Sequence, residues 1–269
     1  MSKSLPLLKY AAWSPSKASL AATCPLAFKY RYIDKVPTGN KGTAAKVGVT
    51  VHRALEFLLS GDNIGDSLDK AIAESEGELT HADQEKVRTF AQNMLEFQKR
   101  IKKFTVSNPL KATHLECKWA VTPAFKSCAF DDVEGAIRGI VDMGLELQND
   151  YVIVIDHKSG RVRPASYYKT QLDFYTVMAL AVFPHLKGVQ CALHYVAHGK
   201  LEWGSPVKPQ YIREVLQPWL LSYLNKKSER IDTAIATPGM HCRWCDYRDI
   251  CAFRGMNVEA GKGDEDTQV

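Results

Sequence analysis

No stretch of this chain reaches 18 consecutive apolar residues, so no membrane-crossing helix is expected. Its first residues, MSKSLPLLKY, lack the apolar centre of a secretory leader, and the expected compartment is a reducing cytosol. No G-x-x-x-x-G-K-[ST] occurs, which excludes the phosphate-cradling loop of an ATP-powered motor. Internal repeats are missing, and so is low-complexity sequence, except for the polar tail VEAGKGDEDTQV, which is expected to be disordered. There are seven cysteines but only one C-x₂-C. In a reducing compartment they suggest metal ligands or buried thiols rather than disulfides.

What is present is ordinary in bulk and uneven in detail. The 269 residues are 45% hydrophobic and 24% charged, the proportions of a folded chain with a sizeable core. A net charge of +5 hides a pattern. Residues 1–53 hold nine Lys/Arg against Asp34 alone, residues 54–150 hold 11 against 17 acids, and residues 151–255 hold 14 against 8. Two basic segments around an acidic middle suit a polyanionic partner.

The first part of the chain reads as helical. WSPSKASLAATCPLAFKYRYI has Ser14 as N-cap, Pro15 at the first position and Pro25 interrupting or restarting the helix. AAKVGVTVHRALEFLLSG is a second helix, striped by Val51, Leu55, Leu58 and Leu59; residues 66–104 give one or two more. The period then shortens to two. THLECKWAV, AIRGIVDMGLEL and YVIVIDHKS read as strands, the third apolar on both faces, as a central strand covered on both sides should be. A helix over SYYKTQLDFYTVMALAVF, a strand over GVQCALHYVA with KLEWGSPV as its pair, and a helix from PQYIREVL onward complete an α/β order.

Alternate side chains of a strand share a face, so Asp156 and Lys158 point the same way. Asp142 ends the preceding strand, and a hairpin through LQNDY brings the two aspartates together. Such carboxylates repel unless a cation lies between them, and hard oxygen donors suit Mg²⁺ or Mn²⁺. A lysine beside that cation can orient and help deprotonate water, and stabilise charge developing on a phosphate. D-x-K alone is better explained as a surface ion pair. Its company argues otherwise: His52 lies upstream on the helix face of Gly48, Leu55 and Leu59, and Gln171 and Tyr175 lie one turn apart on the following helix. Glu116, in the first strand, is a further acid, either near the cation or solvated.

HCRWCDYRDIC gives Cys242-x₂-Cys245-x₅-Cys251, and Cys24 is the best candidate for a fourth thiolate. Four thiolates suit either zinc or an iron–sulfur centre. Cys117, Cys128 and Cys191, single in or near strands, read as buried thiols. FKYRYIDK interleaves Tyr30 and Tyr32 with Lys29 and Arg31, a pattern that can stack on bases and neutralise phosphates or simply pack and solvate a helix end.

In order and approximate spacing, His52, GIVD (Gly139 to Asp142), DHKSG (Asp156 to Gly160) and QLDFY (Gln171 to Tyr175) resemble the RecB-type motifs of the PD-(D/E)XK nuclease superfamily. The resemblance implies a restriction-endonuclease-like core, a central mixed sheet flanked by helices, with a helical N-terminal part and a cysteine-rich C-terminal segment. It implies a single nuclease domain over 1–255: helical about 1–105, catalytic core about 106–206, C-terminal helix and cysteines about 207–255, then the tail 256–269. It further implies His52, Asp142, Asp156 and the His157 main-chain carbonyl as ligands of Mg²⁺ or Mn²⁺. Lys158 would be the catalytic lysine, with Gln171 and Tyr175 positioning the lysine or the strand. Ile140 and His157 stand where the family often has Arg and Tyr; neither change removes a ligand.

The segment around Cys24 resembles that of the iron–sulfur group, the AddB nuclease domain and CRISPR-associated single-strand exonucleases, and so favours a [4Fe-4S] cluster on Cys24, Cys242, Cys245 and Cys251 over zinc. The implied activity is metal-dependent hydrolysis of DNA, from single-stranded ends, in recombination, repair or phage DNA processing in a bacterial or phage-infected cell. Any helicase or recombination partner would be a separate chain. Two other readings stay open: a non-catalytic nucleic-acid-binding subunit with a structural metal cluster, and a nuclease directed at RNA.

Overall fold

Prolines and capping side chains cut the N-terminal half of the chain into short helices. The computed structural model describes residues 9–38, 42–75 and 77–253, so the tail expected over 256–269 lies outside the described residues. The helices are α1 (Pro15–Thr23), α2 (Pro25–Phe28), α3 (Thr43–Ser60), α4 (Ile64–Glu74), α5 (His81–Arg88) and α6 (Ala91–Ser107), with a π-helical turn over Lys29–Ile33. Strands β1 (Leu110–Val121), β2 (Ser127–Cys128), β3 (Ile137–Leu147) and β4 (Tyr151–Lys158) follow. Then come α7 (Lys169–Val182), β5 (Gly188–Tyr195), β6 (Lys200–Trp203), α8 (Pro209–Tyr211) and α9 (Gln217–Thr233).

Three helices, not one or two, fill the stretch after α3. Local caps set the breaks. Asn63 accepts from the Asp66 N–H at 2.9 Å to start α4, and Thr80 and Asp83 form a reciprocal capping box that starts α5.

The described residues divide into two compact units. The first holds those up to Pro15 and from 42 to Tyr223; the second holds Ser16 to 38 and Leu224 to 253. In the first, six strands form one mixed sheet in the order β2-β1-β3-β4-β5-β6. β1, β3 and β4 meander antiparallel, β4 pairs β5 in parallel, and β6 closes the edge antiparallel to β5. A parallel pair needs a crossover, which α7 supplies.

β4 is central, and residues 152–157 are all buried. Its odd side, Ile153 and Ile155, joins a core built with Val51, Leu55 and Leu58 of α3, Met94 and Phe97 of α6, and Met143 and Leu145 of β3. Its even side faces α7, whose residues 174–180 are buried without a break. The strand is therefore apolar on both faces, as its sequence requires, until Asp156.

Candidate active site

The β3–β4 ladder ends where the polar residues begin. Pairing of β3 with β4 runs to Met143↔Ile155; one further step sets Asp142 opposite Asp156. There the His157 amide donates to Asp142 Oδ2 at 2.6 Å, a side-chain bond at the end of the ladder. On the other side of β3, Leu115 pairs Met143 and Cys117 pairs Val141, and Glu116 lies between them at φ +45°. A left-handed glutamate is strained by about 1–3 kcal/mol, a cost that tends to gather at functional sites.

Two glycines let helices come close. A Cβ on Gly48 of α3 would meet Ser159 Oγ at 3.1 Å, just beyond the end of β4. A Cβ on Gly139 of β3 would meet Met178 of α7 at 2.8 Å and Tyr175 at 3.5 Å.

His52, Glu116 and Asp142 form a trio whose ligand atoms all lie within 4.8 Å of one another. His52 Nδ1 is 3.4 Å from Asp142 Oδ1. Burial would lower the His52 pKa, but the hydrogen bond and charge of Asp142 outweigh it and raise the imidazole. Burial likewise opposes ionisation of Asp142, yet bonds from His52 and the His157 amide hold its pKa down. Glu116 is pushed up to about 7, first by burial and then by the charge of Asp142.

Asp156 belongs to a second, adjoining network. Gln171 Nε2 donates to its Oδ1 at 2.8 Å, as does the Tyr175 hydroxyl at 3.2 Å. Lys158 Nζ lies 2.6 Å from Oδ2, a close charge pair. Lys158 also donates to Gln171 Oε1 at 2.9 Å and sits over the Tyr168 ring, 4.6 Å from its centre. Burial first, then Asp142, pushes Asp156 up to about 6. Burial and the same two carboxylates hold Tyr175 well above the usual tyrosine range, so it remains a donor.

The donor set fits a divalent ion. Three crowded acids, two of them raised, and a neutral-capable imidazole present a charge imbalance that a dication relieves.

The sequence-predicted residues His52, Asp142, Asp156, Lys158, Gln171 and Tyr175 thus come together, in two linked groups. Glu116 sits inside the trio and Asp156 outside it, the reverse of the emphasis their sequence context gave. The His157 ring turns away to His194, Nδ1 to Nδ1 at 3.0 Å, with burial taking it down to about 4; its main chain alone reaches Asp142. His194 and its stacking partner Phe97, at 3.9 Å, carry no sequence signal of this role.

In the second unit, Cys24, Cys242, Cys245 and Cys251 line one pocket together with Tyr30, His241 and Tyr247. Cys24 occupies the extended N-cap position of α2, and the Gly239 amide donates to Cys242 Sγ at 3.4 Å. Four thiols with an amide aimed at one of them fit a thiolate-bound metal centre. Lys29 is bound to Asp34 at 2.7 Å and the Tyr30 ring packs on Tyr247 at 5.4 Å, leaving Arg31 and Tyr32 the more open pair of that segment.

Among curated protein sequences none matches the chain. A candidate exonuclease from Eubacterium rectale, of known structure, superposes at a TM-score of 0.50 over 97% of this chain and 96% of that one, at 12% identity, a likeness of fold alone. The SSO0001 structure, 11% identical over 85% of this chain and 95% of that one, reaches a TM-score of 0.33, which is too low to argue from. The family model of the PD-(D/E)XK nuclease superfamily matches residues 12–252, spanning both networks and all four clustered cysteines. By that match the chain belongs to the PD-(D/E)XK nuclease superfamily.

Proposed function

We propose that the protein is a metal-dependent deoxyribonuclease that works from single-stranded ends. The observation carrying this reading is the adjacency of the His52–Glu116–Asp142 trio to the Asp156–Lys158–Gln171–Tyr175 network. His52, Asp142 and Asp156, with the His157 carbonyl, would hold Mg²⁺ or Mn²⁺, and Glu116 joins them as a further donor. When bound, such an ion neutralises the phosphate and acidifies water. Lys158, fixed by Gln171, faces charge developing on the phosphate and can take or return a proton there. Gln171 and Tyr175 orient Asp156 and keep water from its Oδ1. Arg31 and Tyr32, with Lys29 and Tyr30, offer the second unit a weaker contact to the strand.

The second unit carries a [4Fe-4S] cluster in this reading, as in AddB-type nucleases. The four thiols on one pocket support it. The preference for a cluster over zinc rests on the resemblance of the Cys24 segment and on the unequal Cys242-x₂-Cys245-x₅-Cys251 spacing.

Digestion of end-labelled single- and double-stranded DNA, beside matched RNA, with Mg²⁺, Mn²⁺ or chelator tests catalysis, cation need and sugar preference together. Cleavage that persists in chelator, or none in either cation, ends this reading.

A further inference from the structure

We propose that the segment from Gly160 to Tyr168 grips the strand beside the reacting phosphate, Tyr167 stacking on an unpaired base and Arg161 and Arg163 holding flanking phosphates. This rests on the nuclease reading above and adds the feature that selects single strands.

Every residue from Gly160 to Tyr167 is exposed, yet the segment is pinned from below. The Tyr195 hydroxyl donates to the Arg163 carbonyl at 2.6 Å, and the Tyr167 amide donates to the Pro164 carbonyl at 2.9 Å, closing a turn. Tyr168 tucks its ring beneath Lys158, 4.6 Å from Nζ. The Tyr167 ring lies 4.9 Å from that of Tyr168 and is 65% exposed, with the Arg163 guanidinium 5.1 Å from its centre. An unbroken run of contacts therefore leads from the lysine at Asp156 to an open ring at the surface.

Charge agrees with geometry. Between Lys158 and Asp173 the chain carries Arg161, Arg163 and Lys169 and no acid. Cations interleaved with an exposed aromatic are the combination unpaired strands use, because each base offers a free face. Bases inside a duplex are already stacked on both sides, so the same ring gains nothing from them. Holding the backbone before the substrate arrives lowers the ordering cost of binding.

The test separates binding from chemistry. Anisotropy of a fluorescein-labelled thymidine 20-mer is measured in chelator across a salt series, beside a duplex of equal length. Cleavage in Mn²⁺ is measured independently. Tyr167→Ala is expected to weaken single-strand binding about 5- to 100-fold, the span of one lost stack, and Tyr167→Phe to restore it. Arg161→Ala and Arg163→Ala should each flatten the slope of log K against log salt by about 0.7. Wild-type affinity in Tyr167→Ala, or an equal loss for duplex, overturns the inference while leaving the nuclease reading intact. A wild-type protein that binds no single strand overturns it as well. Binding without cleavage in the wild type instead ends the nuclease reading and leaves the grip standing.

Discussion

Gln171 holds Lys158: its amide oxygen accepts from Nζ at 2.9 Å while its nitrogen is committed to Asp156 Oδ1 at 2.8 Å. Truncation removes one of the two groups that fix the lysine, leaving it only its charge pair with Asp156. Gln171→Ala is therefore expected to lower kcat about 10- to 100-fold, the cost of losing orientation, with KM little changed. Single-turnover cleavage of an end-labelled single strand reads both. A loss confined to KM would show that Gln171 binds substrate and does not aim the lysine.

Removing the charges themselves is harsher. Asp156→Asn and Lys158→Ala are expected to reduce cleavage at least about 10²-fold and to leave single-strand binding in chelator largely intact. Circular dichroism checks folding, since both side chains are mostly buried. Cleavage surviving both substitutions would falsify the assigned chemistry.

The acids predict a pH dependence. Glu116 is held at about 7 and Asp156 at about 6, against ordinary values of 4.5 and 3.8. In the metal-free protein these groups keep protons that a dication must displace. Mn²⁺ affinity should rise with pH between about 5.5 and 7.5 and then level off, as titration calorimetry can follow. Stability has the opposite sign. The folded state binds protons that the unfolded chain releases, so this contribution falls as pH rises from about 4 to about 7. The gain in Tm on adding Mn²⁺ should accordingly widen across that window, and Glu116→Gln should narrow it. A gain independent of pH would place these carboxylates away from the ion.

For the thiol pocket, the proposed cluster predicts absorbance at about 400 nm that Cys245→Ala abolishes, with unfolding of the second unit, because thiolate ligation would supply folding energy there. Metal analysis of the purified protein distinguishes iron from zinc. A colourless wild type carrying one zinc would replace the cluster with a single ion.

Parts of this architecture are written locally. Val152 to Ile155 announce a strand covered on both faces, and Asp156 and Lys158 at its end break that pattern so sharply that chemistry is the natural reading. His52 is legible only through its order relative to those acids, since a histidine on an apolar helix usually fills a core. Glu116 is less visible still. Its membership of the trio comes from the β1–β3 register and a left-handed backbone, both set by pairing across sequence. The pairing of His157 with His194 depends on a parallel register joined by a crossover, for which no neighbouring residue gives a signal. The helix count after α3 failed for a simpler reason: Asn63 and Thr80, polar residues in a polar stretch, are caps whose effect depends on a few local side-chain bonds, to Asp66 and Asp83.

The second unit is assembled from two stretches of chain that lie far apart, one before residue 41 and one after Tyr223. During vectorial synthesis the early stretch emerges first and must wait for the late one. At about 5–20 residues per second that delay is roughly 10–40 s. Throughout it Cys24 has none of its three companions, while the sheet-bearing unit can already be complete. The thiol pocket can therefore close only once the residues of the sheet-bearing unit have all been made, in whatever supply of metal or oxidant the chain then meets.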